Sequence, residues 1–326
     1  MSRLVVLVGV ICWVGMLRAD EKAPGFTALT AETAGADAVF QGEYAGVVRT
    51  ADGELKVGVQ VIAEGSGRFA WAALMGGLPG EGWDGNTPLR GLGERQGDVA
   101  LMKGETGRGE IRDGRLTIYN SENQQLGELS RVQRQSPTLG RKAPEGAVVL
   151  FDGTTADHFE GGRMSEDKLL MQGCTSKEKF GSGELHLEFL LPYMPNARGQ
   201  GRGNSGVYLQ GRYEVQVLDS FGLSGEQNEC GGIYSIAKPK VNMCLPPLAW
   251  QTYDIEFQAA TFDAGGKKTA DGSITVRHNG VVIHDRVALT HATTAAPVKE
   301  GPEPGPLYLQ DHGNQVRYRN VWFLAK

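Results

Sequence analysis

Four of the chain's Asp-Gly and Asn-Gly pairs set the terms on which it can fold. Asp52-Gly53, Asp113-Gly114, Asp271-Gly272 and Asn279-Gly280 each sit beside a strand-like run, at 55–62, 116–119, 273–277 and 281–284. Tight two-residue hairpin turns need positive φ, which these pairs supply, so each predicts an antiparallel hairpin. The 47 glycines are about twice the usual ~7% share. They follow no G-x-y period, which excludes collagen and favours a turn-rich β architecture. Strict alternation in Glu184-Leu185-His186-Leu187-Glu188-Phe189 puts Leu185, Leu187 and Phe189 on one face and the polar groups on the other. No long amphipathic helix is evident; residues 30–38 are Ala-rich enough for a short one, although Gly35 interrupts them. The fold class expected is all-β.

The chain of 326 residues is long enough for two domains. Between them, residues 133–146 read QRQSPTLGRKAPEG, polar, aperiodic and Pro-containing, which is the composition of a linker. A small β-rich domain is expected over 20–132 and a larger one over 147–326. At the start, Arg3, the apolar run 4–17 and Ala19 follow the order of a secretory signal over residues 1–19. Fourteen apolar residues are too few to span a bilayer as a helix, so a secreted or periplasmic protein without a permanent membrane anchor is expected. A net charge of -5 offers no basic field for nucleic acid. With Cys12 removed, Cys174, Cys230 and Cys244 remain, and the loop-length spacing of Cys230 and Cys244 makes them the preferred disulfide; the alternative is a pair of buried free thiols.

Gly201, Gly203 and Gly206 spell G-x-G-x-x-G, but Pro192 and Pro195 precede them and a β-like run follows, where a dinucleotide loop needs a strand before and a helix after. The next segment, GNSGVYLQGRYEVQVLDS from Gly203 to Ser220, is the most informative in the chain. In its second strand Tyr213, Val215 and Val217 alternate with Arg212, Glu214 and Gln216. That polar row is either the solvated side of a sheet or a planar array of hydrogen-bonding groups around a proton-transferring carboxylate. A further strand at 307–312 alternates Leu307, Leu309 and Asp311 with Tyr308, Gln310 and His312.

Phe151-Asp152-Gly153, the Gly203–Val207 turn, Tyr213–Asp219, Trp250-Gln251-Thr252-Tyr253, Asn279-Gly280, Leu309–Gly313 and Arg319-Asn320-Val321 occur in the order found in the 3-keto-disaccharide hydrolase domain family, which the C-terminal region resembles. The resemblance covers about 148–323 and leaves the N-terminal half outside. It implies a concanavalin-like β-sandwich (jelly roll) and a carbohydrate substrate in the form of an oxidised glycoside. Gln216 stands where laminarinase-type glycosidases, which share that fold, carry an acid, so a two-carboxylate retaining mechanism is disfavoured. A ketone at C3 acidifies the C2 proton, and a base, an enolate stabiliser and a leaving-group acid then suffice. On this reading Glu214 is the base, His312 the acid or carbonyl-polarising group, and Asp219 a third catalytic candidate. Arg212, Gln216, Gln310, Asn204, Tyr208, Glu188 and Asp311 are substrate-binding candidates. Arg212 or a divalent cation is the candidate holder of the enolate oxygen, with Asp219, Asp311 and His312 as cation ligands. The alternative is a non-catalytic, lectin-like protein of the cell envelope.

Overall fold

A computed structural model describes residues 25–326; the signal segment lies outside the described residues. The N-terminal domain is a closed barrel of eight antiparallel strands: β1 (Gly42–Thr50), β2 (Gly53–Gly65), β3 (Arg68–Met75), β4 (Leu89–Gln96), β5 (Val99–Lys103), β6 (Gly107–Arg112), β7 (Arg115–Asn120) and β8 (Gln125–Val132). The first strand pairs with the last, so no edge is left open. Asp113 and Gly114 both have positive φ, at 48° and 74°, as a primed turn requires. Tyr44, Val59, Val61, Phe69, Met102 and Leu129 are among the side chains that fill the interior. The barrel is therefore a packed core.

The C-terminal domain is the expected sandwich, with strands β9 (Val148–Phe151), β10 (Phe159–Glu160), β11 (Leu170–Met171), β12 (Cys174–Phe180), β13 (Gly183–Leu190), β14 (Ser205–Leu209), β15 (Tyr213–Val217), β16 (Trp250–Gln258), β17 (Thr261–Phe262), β18 (Lys268–Ala270), β19 (Gly272–His278), β20 (Val281–Leu289), β21 (Gly305–Leu309) and β22 (Arg317–Ala325). One sheet runs β10-β12-β21-β14-β15; the other runs β11-β22-β13-β16-β19-β20, with β9 added beside β22. Leu185, Leu187 and Phe189 from one sheet and Val207, Val215 and Val217 from the other meet in a single core. The Asn279-Gly280 turn closes the β19–β20 hairpin. Asp271-Gly272 departs from expectation: it joins β18 to β19, which lie in different sheets, and Gly272 is not in the positive-φ region. The proposed helix at 30–38 contracts to one 3-10 turn, Ala31–Thr33.

Two observations change the expected organisation. Residues 133–147 are irregular, as their composition predicts, but they are no free tether. Thr138 Oγ1 donates to Asp254 Oδ2 at 2.6 Å, and the Gly140 N–H donates to Glu188 Oε1 at 2.5 Å, so this segment straps the outer face of the β13–β16 sheet. The two cores also interlock. Ile62 of the barrel packs in the sandwich core, and Tyr193 of the sandwich packs in the barrel core.

Candidate functional site

The site is built on β14 and β15, whose register sets Tyr208 opposite Glu214 and Gly206 opposite Gln216. Odd-numbered residues of β15 enter the core, so Glu214 and Gln216 face outward. This row is not a solvated surface: Glu214 is 3% exposed and Gln216 1%. The free edge of β15 is covered by the following loop, in which Gly231 and Tyr234 donate to the carbonyls of Gln216 and Glu214. Thr293 Oγ1 accepts from the Glu214 N–H at 3.0 Å and fixes the strand from its start.

Around the carboxyl the partners are few and directional. Tyr208 Oη donates to Glu214 Oε2 at 2.7 Å, and Gln310 Nε2 donates to Tyr208 Oη at 3.1 Å. Glu214 Oε1 receives no hydrogen bond from the described residues. Gly206 makes room for it, because a Cβ there would stand 2.2 Å from Oε1. Burial pushes the Glu214 pKa up to about 7, against a smaller opposing effect of the Tyr208 hydrogen bond. The group is thus divided between acid and base forms near neutrality. Burial and the adjacent Glu214 charge raise the Tyr208 phenol, which stays protonated and a donor.

Beside this chain lies a cluster of amides. Gln200 Oε1 accepts from Gln216 Nε2 at 3.2 Å and from Asn204 Nδ2 at 3.1 Å, and Asn204 Oδ1 is buried without a partner among the described residues. Glu214, Tyr208, Gln310, Gln216 and Asn204, all sequence candidates, therefore converge on one face, with Gln200 added. Gln200 stands in an Arg/Gly loop whose sequence carries no strand or motif signal. Asp311 and His312 follow Gln310 at the rim and are exposed. Asp311 Oδ1 accepts from the Gly313 N–H, which is turn capping, and His312 makes no hydrogen bond to the described residues.

The other candidates fall elsewhere. Asp219 is buried against Arg202, whose Nε lies 2.6 Å from Oδ2, so it is an ion-pair anchor. Arg212 spends its guanidinium on the carbonyls of Lys299 and Glu303 and on Gln210, which pins the 299–303 loop and removes it as an enolate holder. Glu188 belongs to the opposite sheet, facing away from Glu214 across the shared core. Burial alone would raise its pKa, but nearby His186 and hydrogen bonds from Asn320, Arg319 and the Gly140 N–H outweigh that and hold it at about 2. Its neighbour His186 is fully buried, with Nδ1 2.8 Å from Asp254 Oδ1. The expected disulfide is not formed: Cys174, Cys230 and Cys244 are all buried free thiols. Cys230 donates to Tyr253 Oη at 3.2 Å while Tyr253 donates to the Gln216 carbonyl, and Cys244 Sγ lies 3.5 Å from the Leu218 carbonyl, so both thiols are satisfied unbridged. Among the described residues no group of three His, Cys, Asp or Glu gathers to hold a metal, and Asp219 and Asp311, two of the proposed cation ligands, are engaged as above. No helix among them is long and apolar enough to cross a membrane.

A two-sheet sandwich with a titratable carboxyl and a cluster of amides on one outer face is the frame of a carbohydrate-handling protein. Residues 146–324 match the family described as the 3-keto-alpha-glucoside-1,2-lyase-like domain, and the chain belongs to that family. A candidate glycosyl hydrolase from Parabacteroides distasonis ATCC 8503 is 32% identical, with a TM-score of 0.51, over 57% of this chain and 86% of that one. A second candidate glycosyl hydrolase of that organism is 18% identical with a TM-score of 0.42, covering 56% of this chain and 94% of its own. No curated protein matches the chain. The match leaves the barrel outside the family domain.

Proposed function

We propose that the protein is an exported carbohydrate-active hydrolase that cleaves 3-keto-glycosides by elimination and rehydration. Family membership and the likeness to a candidate glycosyl hydrolase support the class; the single observation that carries the mechanism is the buried Glu214 carboxyl, held on one oxygen by Tyr208 and without a hydrogen bond from the described residues on the other. In this reading Oε1 takes the C2 proton, which the C3 ketone has acidified. The electron pair forms the enolate, the C1–O bond breaks, and the leaving alkoxide is protonated, for which His312 at the rim is the donor. Water then adds across the new double bond, with hydroxyl at C1 and the proton returned to C2, so the sum is hydrolysis. Gln310, Gln216, Asn204 and Gln200 supply amide contacts for the hydroxyls. An ordinary glycoside lacks the acidic C2 proton and stays intact.

The test replaces Glu214 with Gln, which keeps shape and hydrogen bonding and removes the base. Turnover of a 3-keto-disaccharide is expected to fall by about 10²–10⁴-fold with sugar binding retained. The wild type should exchange the C2 proton for solvent deuterium during turnover and leave the unoxidised disaccharide uncut. Full activity in the variant, or equal cleavage of both sugars, would defeat the mechanism; binding of both sugars with cleavage of neither would return the protein to a lectin-like role.

A further inference from the structure

The row of side chains that ends at Glu214 runs across the whole sheet. Strand pairing sets Glu160 of β10 opposite Thr175 of β12, Thr175 opposite Tyr308 of β21, Tyr308 opposite Tyr208 of β14, and Tyr208 opposite Glu214 of β15. Their chain neighbours Phe159, Cys174, Leu307, Leu309, Val207 and Val215 all enter the core, so these five side chains share the outer face. Burial falls steadily along the row. Glu214 and Tyr208 are buried, Tyr308 and Thr175 are half-buried, and Glu160 is exposed. The loop carrying Gly231 and Tyr234 and the segment around Thr293 flank the β15 end, whereas β10 is the edge strand of the sheet. We propose that this face is a cleft closed at one end, which takes a saccharide by its terminal ring. The keto sugar lies over Glu214 and Tyr208, the next ring stacks on Tyr308, and the chain leaves over Thr175 and Glu160.

This arrangement rests on the function proposed for Glu214 and adds to it the direction in which the substrate lies. Distance separates the roles along the row. Neighbouring strands stand ~4.8 Å apart, so Tyr308 is two spacings, about 10 Å, from Glu214, and Glu160 is four spacings, about 19 Å, away. The paired carboxyls of glycosidases are no more than about 9.5 Å apart. Glu160 is thereby excluded as a catalytic partner, and Tyr308 is placed to meet the neighbouring ring instead of the reacting one. Chemistry then selects what Tyr308 holds. A pyranose presents an apolar C–H face beside its hydroxyls, and a half-exposed phenol ring offers the matching surface. The Tyr308 ring packs on Tyr208, with centroids 5.3 Å apart at an interplanar angle of 46°, so the residue that donates to Glu214 also orients the platform. Core packing does not account for this tyrosine, because Leu307 and Leu309 already supply the inner face of its strand. With the C1 substituent directed toward Tyr308 and loops beyond Glu214, a bond is cut only where the ketone is on the non-reducing terminal ring.

The experiment compares, on the full chain, a disaccharide oxidised at C3 of its non-reducing ring with methyl 3-keto-glucoside, whose methyl group is too short to reach Tyr308. Tyr308→Leu fills similar space without an aromatic face. It should lower kcat/KM for the disaccharide about tenfold relative to the methyl glycoside, chiefly through KM, which is the scale of one aromatic contact. Tyr308→Phe should restore the ratio. A trisaccharide oxidised on its central ring should stay intact while one oxidised on its non-reducing ring is cut; this pair uses the wild type and decides the matter if Tyr308→Leu does not fold. An unchanged ratio in Tyr308→Leu, or cleavage beside a central-ring ketone, would overturn the assignment. Failure of the Glu214 mechanism reads differently, as retained turnover in Glu214→Gln, and leaves the Tyr308 ratio standing on its own. If the wild type turns over neither sugar, the same ratio is taken from the dissociation constants of unoxidised cellobiose and methyl glucoside by titration calorimetry, and a ratio unmoved by Tyr308→Leu is again fatal.

Discussion

Two glutamates on opposite faces of one sandwich respond to burial in opposite ways, and the difference is measurable. Glu214 has one hydrogen-bond donor, so burial raises it from 4.5 to about 7. The folded state then holds the proton more tightly than the unfolded chain, and the stability this group contributes is lost as pH rises from about 4.5 through about 7. Glu188 has four sources of support and sits at about 2, so its contribution is present above about 4.5 and is lost as pH falls through about 2. Buried His278, lowered to about 3, titrates in the opposite sense over much of this range. The Glu214 contribution is therefore read as the difference in chemical denaturation between wild type and Glu214→Gln, which should move against the wild type as pH rises from about 4.5 to about 7. A difference that does not change with pH would show that Glu214 is not its source. As a base, Glu214 also predicts that kcat/KM of the keto-sugar reaction declines as pH falls below about 7. Glu214 was legible in the sequence because an acid between Tyr213 and Val215 disagrees with its strand. Asp219, Arg212 and Glu188 were not, since the groups that claim them, Arg202, the Lys299 carbonyl and Gly140, stand 17, 87 and 48 residues away. A linear pattern shows which residues are polar and cannot show which are already engaged.

At the level of elements, hairpins were legible where both turn residues accept positive φ, as at Asp113-Gly114 and Asn279-Gly280. The sheet order and the closure of the barrel were not, because pairing between β1 and β8 depends on strands some eighty residues apart. The loop before β14 shows what such distant contacts achieve. Arg202 donates from Nε to Asp219 at the end of β15 and from Nη1 to the Ala63 carbonyl of β2, at 2.6 and 3.3 Å. The same loop carries Gln200 into the amide cluster, so the barrel helps to hold the candidate site. Arg202→Met should strand the Asp219 carboxylate in a buried setting and cost about 3–5 kcal/mol of stability. Adding Asp219→Asn should recover much of that loss in a denaturant titration. Equal stability of the single variant and the wild type would mean that the pair is not a buried anchor.

Across the whole molecule, the two domains differ in where their closing strand lies in the chain. Every strand of the barrel is present once residue 132 has been made, whereas β22 pairs with β13 on one side and with β9 and β11 on the other in the larger sheet. It carries Tyr318, Val321 and Phe323 into the core. A chain ending at residue 316 should therefore keep a folded barrel and lose the sandwich, which circular dichroism and hydrogen exchange would report as partial protection confined to residues before 133; protection persisting in β13 and β16 would contradict this. During synthesis, domains generally fold as units, N-terminal first. The barrel is complete in the chain before the family domain begins, but the sandwich must wait for residues 317–325, with its apolar strands unsheltered until then. A frameshift or stop within the codons for residues 317–325 would thus act as a null allele, although every earlier strand of both domains would still be made.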